Sequence, residues 1–440
     1  MSSKLKSSAT MRIIVIGVMS FVLMVPAIMI QYLVHDREMA RDAAASEVSQ
    51  KWGDRQLLAG PILTVPIRKQ ITDNRNWTTS TCKRYAHFLP DTLSINGSVT
   101  PHIRSRGIYD IALYNGKLQV TGSFSLPQFE GMGLDGEEIL WDEASLAVGI
   151  TDMKGIKETI KINWNGAAVE ATPGIESNDI IASGVSAPVA LDGAVKKYPF
   201  SFALDLNGSR ELRFLPLGKD TAVMLTSPWP APSFQGAFLP EKRDVTDHGF
   251  TAAWRTLQVN RNYPQRWIGK QKDISASAFG VDFFSPVSRY QMTERSLKYS
   301  ILFIGLTFTA YFVIELLSGK ALHPIQYLLI GLALVLFYTL LLSLSEHIGF
   351  TYSYLAAATG TIVLITAYTA GVLSHKGISL VIASLLSVLY AFLFVILQME
   401  DYALLLGSFG LFIILGTVMF LTRKVDWSSA MRPEEAVDGM

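Results

Sequence analysis

Apolar runs long enough to cross a bilayer stand at both ends of this 440-residue chain, with a long polar stretch between them. The first run is Ile13 to Val34. Residues 35–298 hold nothing comparable, and apolar stretches then return in series from Tyr299 to Thr422. A helix needs about 20 apolar residues to cross a hydrocarbon core of roughly 30 Å. The layout therefore reads as an α+β membrane protein with one N-terminal anchor helix, a large β-rich water-exposed domain and a C-terminal bundle of five transmembrane helices. Half of the residues are hydrophobic and 17% are charged, and the hydrophobic excess sits at the two ends. A net charge of +1 supplies no field for nucleic-acid binding. The single cysteine, Cys82, excludes an intramolecular disulfide and reads as a spectator. The polar domain is large enough to hold together through its core alone.

Lys4, Lys6 and Arg12 precede the first run, as in a signal peptide, but the run is too long for a cleaved one, whose apolar region spans about 7–15 residues. An uncleaved signal anchor over 13–34 is expected, with Ala43-Ala44-Ala45 as the site of a cleavage alternative. Five further spans fit Tyr299–Ser318, Pro324–Ser343, Phe350–Leu373, Ile378–Leu397 and Tyr402–Thr422. With the N-terminus inside, Lys320, Lys376, Arg423, Lys424 and Arg432 all fall inside, and Glu346, His347, Glu400 and Asp401 fall in outside turns. Arg289, Arg295 and Lys298 are outside, but on a long translocated domain, where the charge rule is weak. The expected organisation is a cytoplasmic tail over 1–12, the anchor over 13–34, an outside domain over 35–298, the five-helix bundle over 299–422 and a cytoplasmic tail over 423–440. The protein would then be a multi-pass membrane protein.

Within the polar domain, residues 35–52 read as a membrane-proximal helix, rich in alanine, glutamate and arginine and stopped by Gly53. Beyond it the texture has period two: Leu63, Val65 and Ile67 alternate with more polar neighbours, as do Tyr109, Ile111 and Leu113. Asn-Gly pairs at Asn96, Asn115, Asn165 and Asn207 suit tight hairpins, which need positive φ at both central residues. Asn115-Gly116 is expected to join Ile108–Tyr114 to Lys117–Phe124, and Asn165-Gly166 follows Thr159–Trp164. The result is a mostly antiparallel β domain of two stacked sheets. Pro228, Pro230, Pro232 and Pro240 mark a loop region that is a candidate divide between two lobes.

No phosphate-binding loop, HExxH, CxxC or GxSxG signature occurs, and the seven histidines are scattered. No catalytic residue, cofactor site or metal site is therefore expected. Glu315 is the one acid well inside an apolar span, where ionisable residues are functional candidates. The competing reading pairs it with Lys320 or His323 near the inner face. Glu346 and His347 form an outer turn; a proton-shuttling pair is one reading, and pairing of Glu346 with Arg295 or Lys298 is the plainer one. Glu315 with His323, and Glu346 with His347, lie a membrane thickness apart and cannot form one catalytic group. Ala356-x-x-x-Gly360, flanked by threonines, and Gly407, Gly410 and Gly416 suit close helix packing.

Several segments together resemble the CreD family of bacterial inner membrane proteins. They include Trp52-Gly53 with Gln56, Gly60-Pro61 and Val65-Pro66; Arg106-Gly107-Ile108-Tyr109 with Gly122-Ser123-Phe124; and Gly149-Ile150-Thr151-Asp152 with Gly155-Ile156. The more specific ones are Phe279-Gly280-Val281, Pro286-Val287, Tyr290, Lys298-Tyr299, Glu315, His323-Pro324, Tyr327 and the stretch Leu342 to Gly349. The resemblance spans nearly the whole chain. It implies an inner membrane location, a role in cell-envelope integrity linked to an envelope stress response, tolerance to certain colicins and effects on β-lactam susceptibility. It implies no biochemical activity and no catalytic residues. The leading expectation is a non-enzymatic envelope protein, embedded in the lipid bilayer, whose periplasmic domain binds an envelope protein or component. The alternatives are a transporter or lipid-handling protein using the bundle as its pathway, and a periplasmic hydrolase, for which no nucleophile with a base is apparent.

Overall fold

The computed structural model describes residues 9–73, 78–134, 137–270, 274–283, 289–318, 322–373, 376–399 and 402–423. Two compact units emerge: one of Met1–Arg41 with Val287–Met440, the other of Asp42–Pro286.

Helix α1 (Ala9–Trp52) is one unbroken helix that includes both the expected anchor and the expected membrane-proximal segment; its residues up to Arg41 belong to the helical unit and those from Asp42 to the β unit. Gly53, at φ 143°, stops it, as its lack of a Cβ permits. The remaining helices are α2 (Arg289–Lys298), α3 (Ser300–Ser318), α4 (Pro324–Ile348), α5 (Phe350–Leu373), α6 (Lys376–Gln398) and α7 (Ala403–Thr422). Among the described residues, four helices have the length and composition to cross a membrane, and five spans result if α2 and α3, bent by 43° where they meet, count as one. Helix α7 lies where the sixth span was expected; its fully described part, Leu405–Thr417, is apolar but shorter. Leu23 of α1 is buried against Gly331 of α4, where any side chain would collide with it. The expected small-residue contact on α5 is corrected: Ala356 and Gly360 face outward, and Ser353, Tyr354, Ala357, Thr361 and Ile365 make the packing face. Among the described residues, a Cβ on Gly410 of α7 would meet the ring of Phe392, and one on Gly407 or Gly416 would meet nothing within 4 Å.

The β unit contains eighteen described strands: β1 Gln56–Asp73, β2 Thr78–Phe88, β3 Thr92–Arg106, β4 Tyr109–Ser125, β5 Glu138–Ile139, β6 Ser145–Ile150, β7 Lys161–Trp164, β8 Ala167–Glu170, β9 Thr172–Pro173, β10 Gly184–Pro188, β11 Lys197–Ser209, β12 Glu211–Phe214, β13 Asp220–Ser227, β14 Ser233–Gly236, β15 Lys242–Thr246, β16 Gly249–Leu257, β17 Arg266–Ile268 and β18 Phe279–Asp282. They form a ten-stranded sheet with the main order β14-β18-β12-β1-β6-β10-β9, and an eight-stranded sheet with the order β15-β16-β13-β3-β4-β11-β7-β8. Pairing is antiparallel apart from β1 with β12 and β3 with β13. One core, drawn from Val65, Phe214 and Phe279 of the first sheet and Val120, Phe202 and Trp254 of the second, joins them. Central strand β1 is buried on both faces from Leu58 to Ile67, which explains its dense apolar run.

The Asn-Gly reading holds at one position of four. Asn165 and Gly166 take φ 49° and 89° and turn β7 into β8. Asn96-Gly97, Asn115-Gly116 and Asn207-Gly208 instead lie inside β3, β4 and β11. The hairpin expected at Asn115 turns at Gly107, φ 62°, so that Arg106 pairs with Tyr109. Packing explains one of the misread glycines: a Cβ on Gly97 would meet Leu118 and Leu225 at 2.6 Å. Asn115 donates its amide across the ladder to Asp205 at 2.6 Å. The proline-rich stretch does not divide the domain either: β14 pairs with β18 inside it, and Trp229, Phe234 and Phe238 pack on the common core.

Candidate functional site

Two of the acids singled out in the sequence, Glu315 and Glu346, lie at opposite ends of α4, a helix whose 25 residues span about 37 Å. At its start, Glu315 of α3 is 3% exposed. It accepts hydrogen bonds from the Tyr327 hydroxyl at 3.0 Å and the Leu322 backbone N–H at 3.2 Å. A carboxylate in an apolar bundle requires such donors, since an unpaired buried charge is strongly disfavoured. The arrangement ties α3, the connecting loop and α4 together. Of the two partners expected from the sequence, Lys320 lies outside the described residues. His323 is exposed and caps α4 instead: its ring nitrogen accepts from the Ile325 N–H at 3.4 Å, and Gln326 reaches back to the His323 N–H at 2.9 Å.

At the other end of α4, Glu346 has a 9% exposed side chain. It accepts a hydrogen bond from Tyr290 of α2 at 3.1 Å and lies 3.9 Å from the Arg37 guanidinium of α1. Arg41, one turn along α1, stacks over the Tyr290 ring at 5.6 Å. Three helices from distant parts of the chain thus converge on one carboxylate. The expected partner Lys298 is engaged elsewhere, with Glu294 one turn back on its own helix at 3.1 Å. Arg295 is half-buried on α2, the helix that carries Tyr290. His347 is exposed, and among the described residues it has no hydrogen-bond or ion-pair partner. Glu400 and Asp401 lie outside the described residues.

Between these ends the bundle interior is aromatic. Phe337 packs against Tyr338, Tyr354 and Tyr390, and the Tyr354 hydroxyl donates to the Tyr390 carbonyl at 2.7 Å. A cleft of about 210 Å³ opens between α3, α6 and α7; Leu302, Leu306, Leu393 and Leu411 line it, and Glu315 does not.

A cluster that the sequence did not reveal sits in the β unit. His87 is 2% exposed; its Nδ1 lies 3.1 Å from the Thr64 hydroxyl and its Nε2 lies 3.2 Å from Asp179. Hydroxyl, imidazole and carboxylate in line resemble a nucleophile, base and acid. Thr64, however, is 4% exposed, and Trp267 packs beside the imidazole with ring centres 5.7 Å apart. The set is thus a clamp that holds the Asp179 loop onto β1 and β2. Cross-strand pairing of Thr64 with His87 puts the two side by side, a register no local pattern announces. Burial lowers the imidazole pKa, with Asp179 opposing the shift. A depressed folded-state pKa means that neutral His87 stabilises fully above the unfolded value of about 6.5 and loses that contribution as pH falls through the lower folded value. Thermal midpoints measured across that range should fall on acidification for the native chain and fall less for His87→Gln; equal slopes would exclude the clamp as the source.

Cys82 is exposed on β2, and among the described residues no group of three histidine, cysteine or acidic side chains is placed to hold a metal ion. The family model for inner membrane protein CreD matches residues 8–428. A curated relative, the inner membrane protein CreD of Escherichia coli (strain K12), is 33% identical over 419 residues, covering 94% of this chain and 92% of the relative.

Proposed function

The chain belongs to the CreD family of inner membrane proteins, and from that premise we propose that it serves cell-envelope integrity and the envelope stress response without catalysing a reaction. In this reading its β unit faces the periplasm, both termini are cytoplasmic, and the β unit engages an envelope protein or component. The observation that carries it is the use of Glu315 and Glu346: each carboxylate is spent on fastening helices together. A bundle fastened in this way suits an anchor. The second reading is lipid handling by the helices, favoured by the apolar cleft between α3, α6 and α7.

Cys82 is the chain's single cysteine and is exposed, which makes it a native reporter of orientation. A membrane-impermeant maleimide should label it in spheroplasts without lysis. In the same cells, a variant with residues 54–283 replaced by a short linker should insert yet fail to restore envelope resistance to a strain lacking the protein. Labelling only after lysis would reverse the orientation, and full restoration by the helices alone would move the function into the bundle.

A further inference from the structure

The outer face of the eight-stranded sheet is covered at one end and open beside it. Ala45, Val48 and Trp52 of α1 pack over Ile111 and Leu113 of β4. Along the same face of β4, side chains alternating by two then turn polar, from Asn115 to Lys117 and Gln119. Here the surface forms a trough of about 680 Å³, within the range of small-ligand sites.

Its floor is a grid set by register. Asn96 of β3 pairs with Gln119 of β4, and Ser98 pairs with Lys117. The parallel neighbour β13 extends the two rows with Met224 and Thr226. Side chains in a row stand about 4.8 Å apart, and the rows about 7 Å apart. Every strand under the grid is internal to the sheet, so its backbone groups are already paired. A peptide cannot add to it as a strand, and recognition must come from side chains. Those side chains are amides and hydroxyls around the exposed apolar Met224, a combination that matches the hydroxyl rim and C–H face of a sugar ring.

Charge selects further. Asp205, on the trough wall, is already held by Asn115 at 2.6 Å and Lys157 at 3.6 Å. Lys117, Lys161 and Glu158 also line the trough, and among the described residues none of them has an ion-pair partner. The unpaired groups are thus two cations against one anion. We infer that this trough binds an anionic oligosaccharide, with Asn96, Ser98 and Gln119 on its hydroxyls and Lys117 on a carboxylate. The inference rests on the reading that the β unit engages an envelope component, and it names the chemical class of that component.

The test uses the full chain in lipid nanodiscs, titrated with oligogalacturonate, which carries a carboxylate on each sugar. Binding should be measurable, about tenfold weaker in Lys117→Gln and in Gln119→Ala, and unchanged in Lys242→Gln on the outer strand β15. A neutral chito-oligosaccharide should bind more weakly than oligogalacturonate, and poly-glutamate should not compete. Absence of binding, equal binding of the neutral sugar, displacement by poly-glutamate, or insensitivity to both trough variants would each overturn the proposal. If it fails while Cys82 labels in spheroplasts, the envelope reading stands without this site; if that labelling also fails, both fall.

Discussion

Phe279→Ala should destabilise the β unit by about 3–5 kcal/mol, the usual cost of emptying a fully buried aromatic site. Phe279 is 0% exposed and packs against Phe214, Phe238 and Trp254, with ring centres 5.8–6.3 Å apart. Phe214 belongs to the same sheet, Trp254 to the opposite one and Phe238 to the proline-rich segment. The cavity therefore opens where all three meet, and no single neighbour can collapse into it. Because the core is continuous, the loss should appear as one transition shifted to lower temperature in a differential scanning experiment. Splitting into two transitions, one unshifted, would restore the two-lobe division that the prolines suggest.

Glu315→Ala should destabilise the helical unit by about 2–4 kcal/mol, because the Tyr327 hydroxyl and the Leu322 N–H then stay buried without their acceptor. Glu315→Gln keeps a carbonyl oxygen at the same place and should cost less than half as much. Tyr327→Phe removes one donor and should cost about 1 kcal/mol. Melting curves of the purified protein in detergent, with membrane abundance alongside, measure all three. The ordering is diagnostic. If Glu315→Gln keeps native stability but abolishes the envelope phenotype, the charge itself matters, and the bundle is a pathway and not a fastening.

The helices were legible because a bilayer imposes a requirement that each segment meets on its own: enough consecutive apolar residues, whatever their neighbours do. For the same reason the helical character of 35–52 showed in local composition, and Gly53 showed where it ended. Alternation revealed β strands, since period two is also a local property. Asn-Gly was the weaker signal, because glycine serves a tight turn and a crowded strand interior equally well. Only the packing of Leu118 and Leu225 around Gly97 tells which applies there.

Partners were decided by the tertiary structure. Sequence proximity suggested Lys320, which lies outside the described residues, or His323, which caps α4; Tyr327, one turn into α4, reaches Glu315. Proximity in the expected topology suggested Arg295 or Lys298 for Glu346, and Lys298 instead closes an i, i+4 pair within its own helix. Arg37 comes to Glu346 from the first helix, more than three hundred residues earlier. Likewise His87 met Asp179 through the loop that carries Asp179, and the trough floor was assembled from β3, β4 and β13 by one hairpin and one parallel pairing. The sequence by itself determined which segments are apolar, alternating or charged, since hydropathy and backbone preference act residue by residue. The fold alone determined which of them touch, because contact depends on register and helix packing, and these are fixed only when the whole core closes at once.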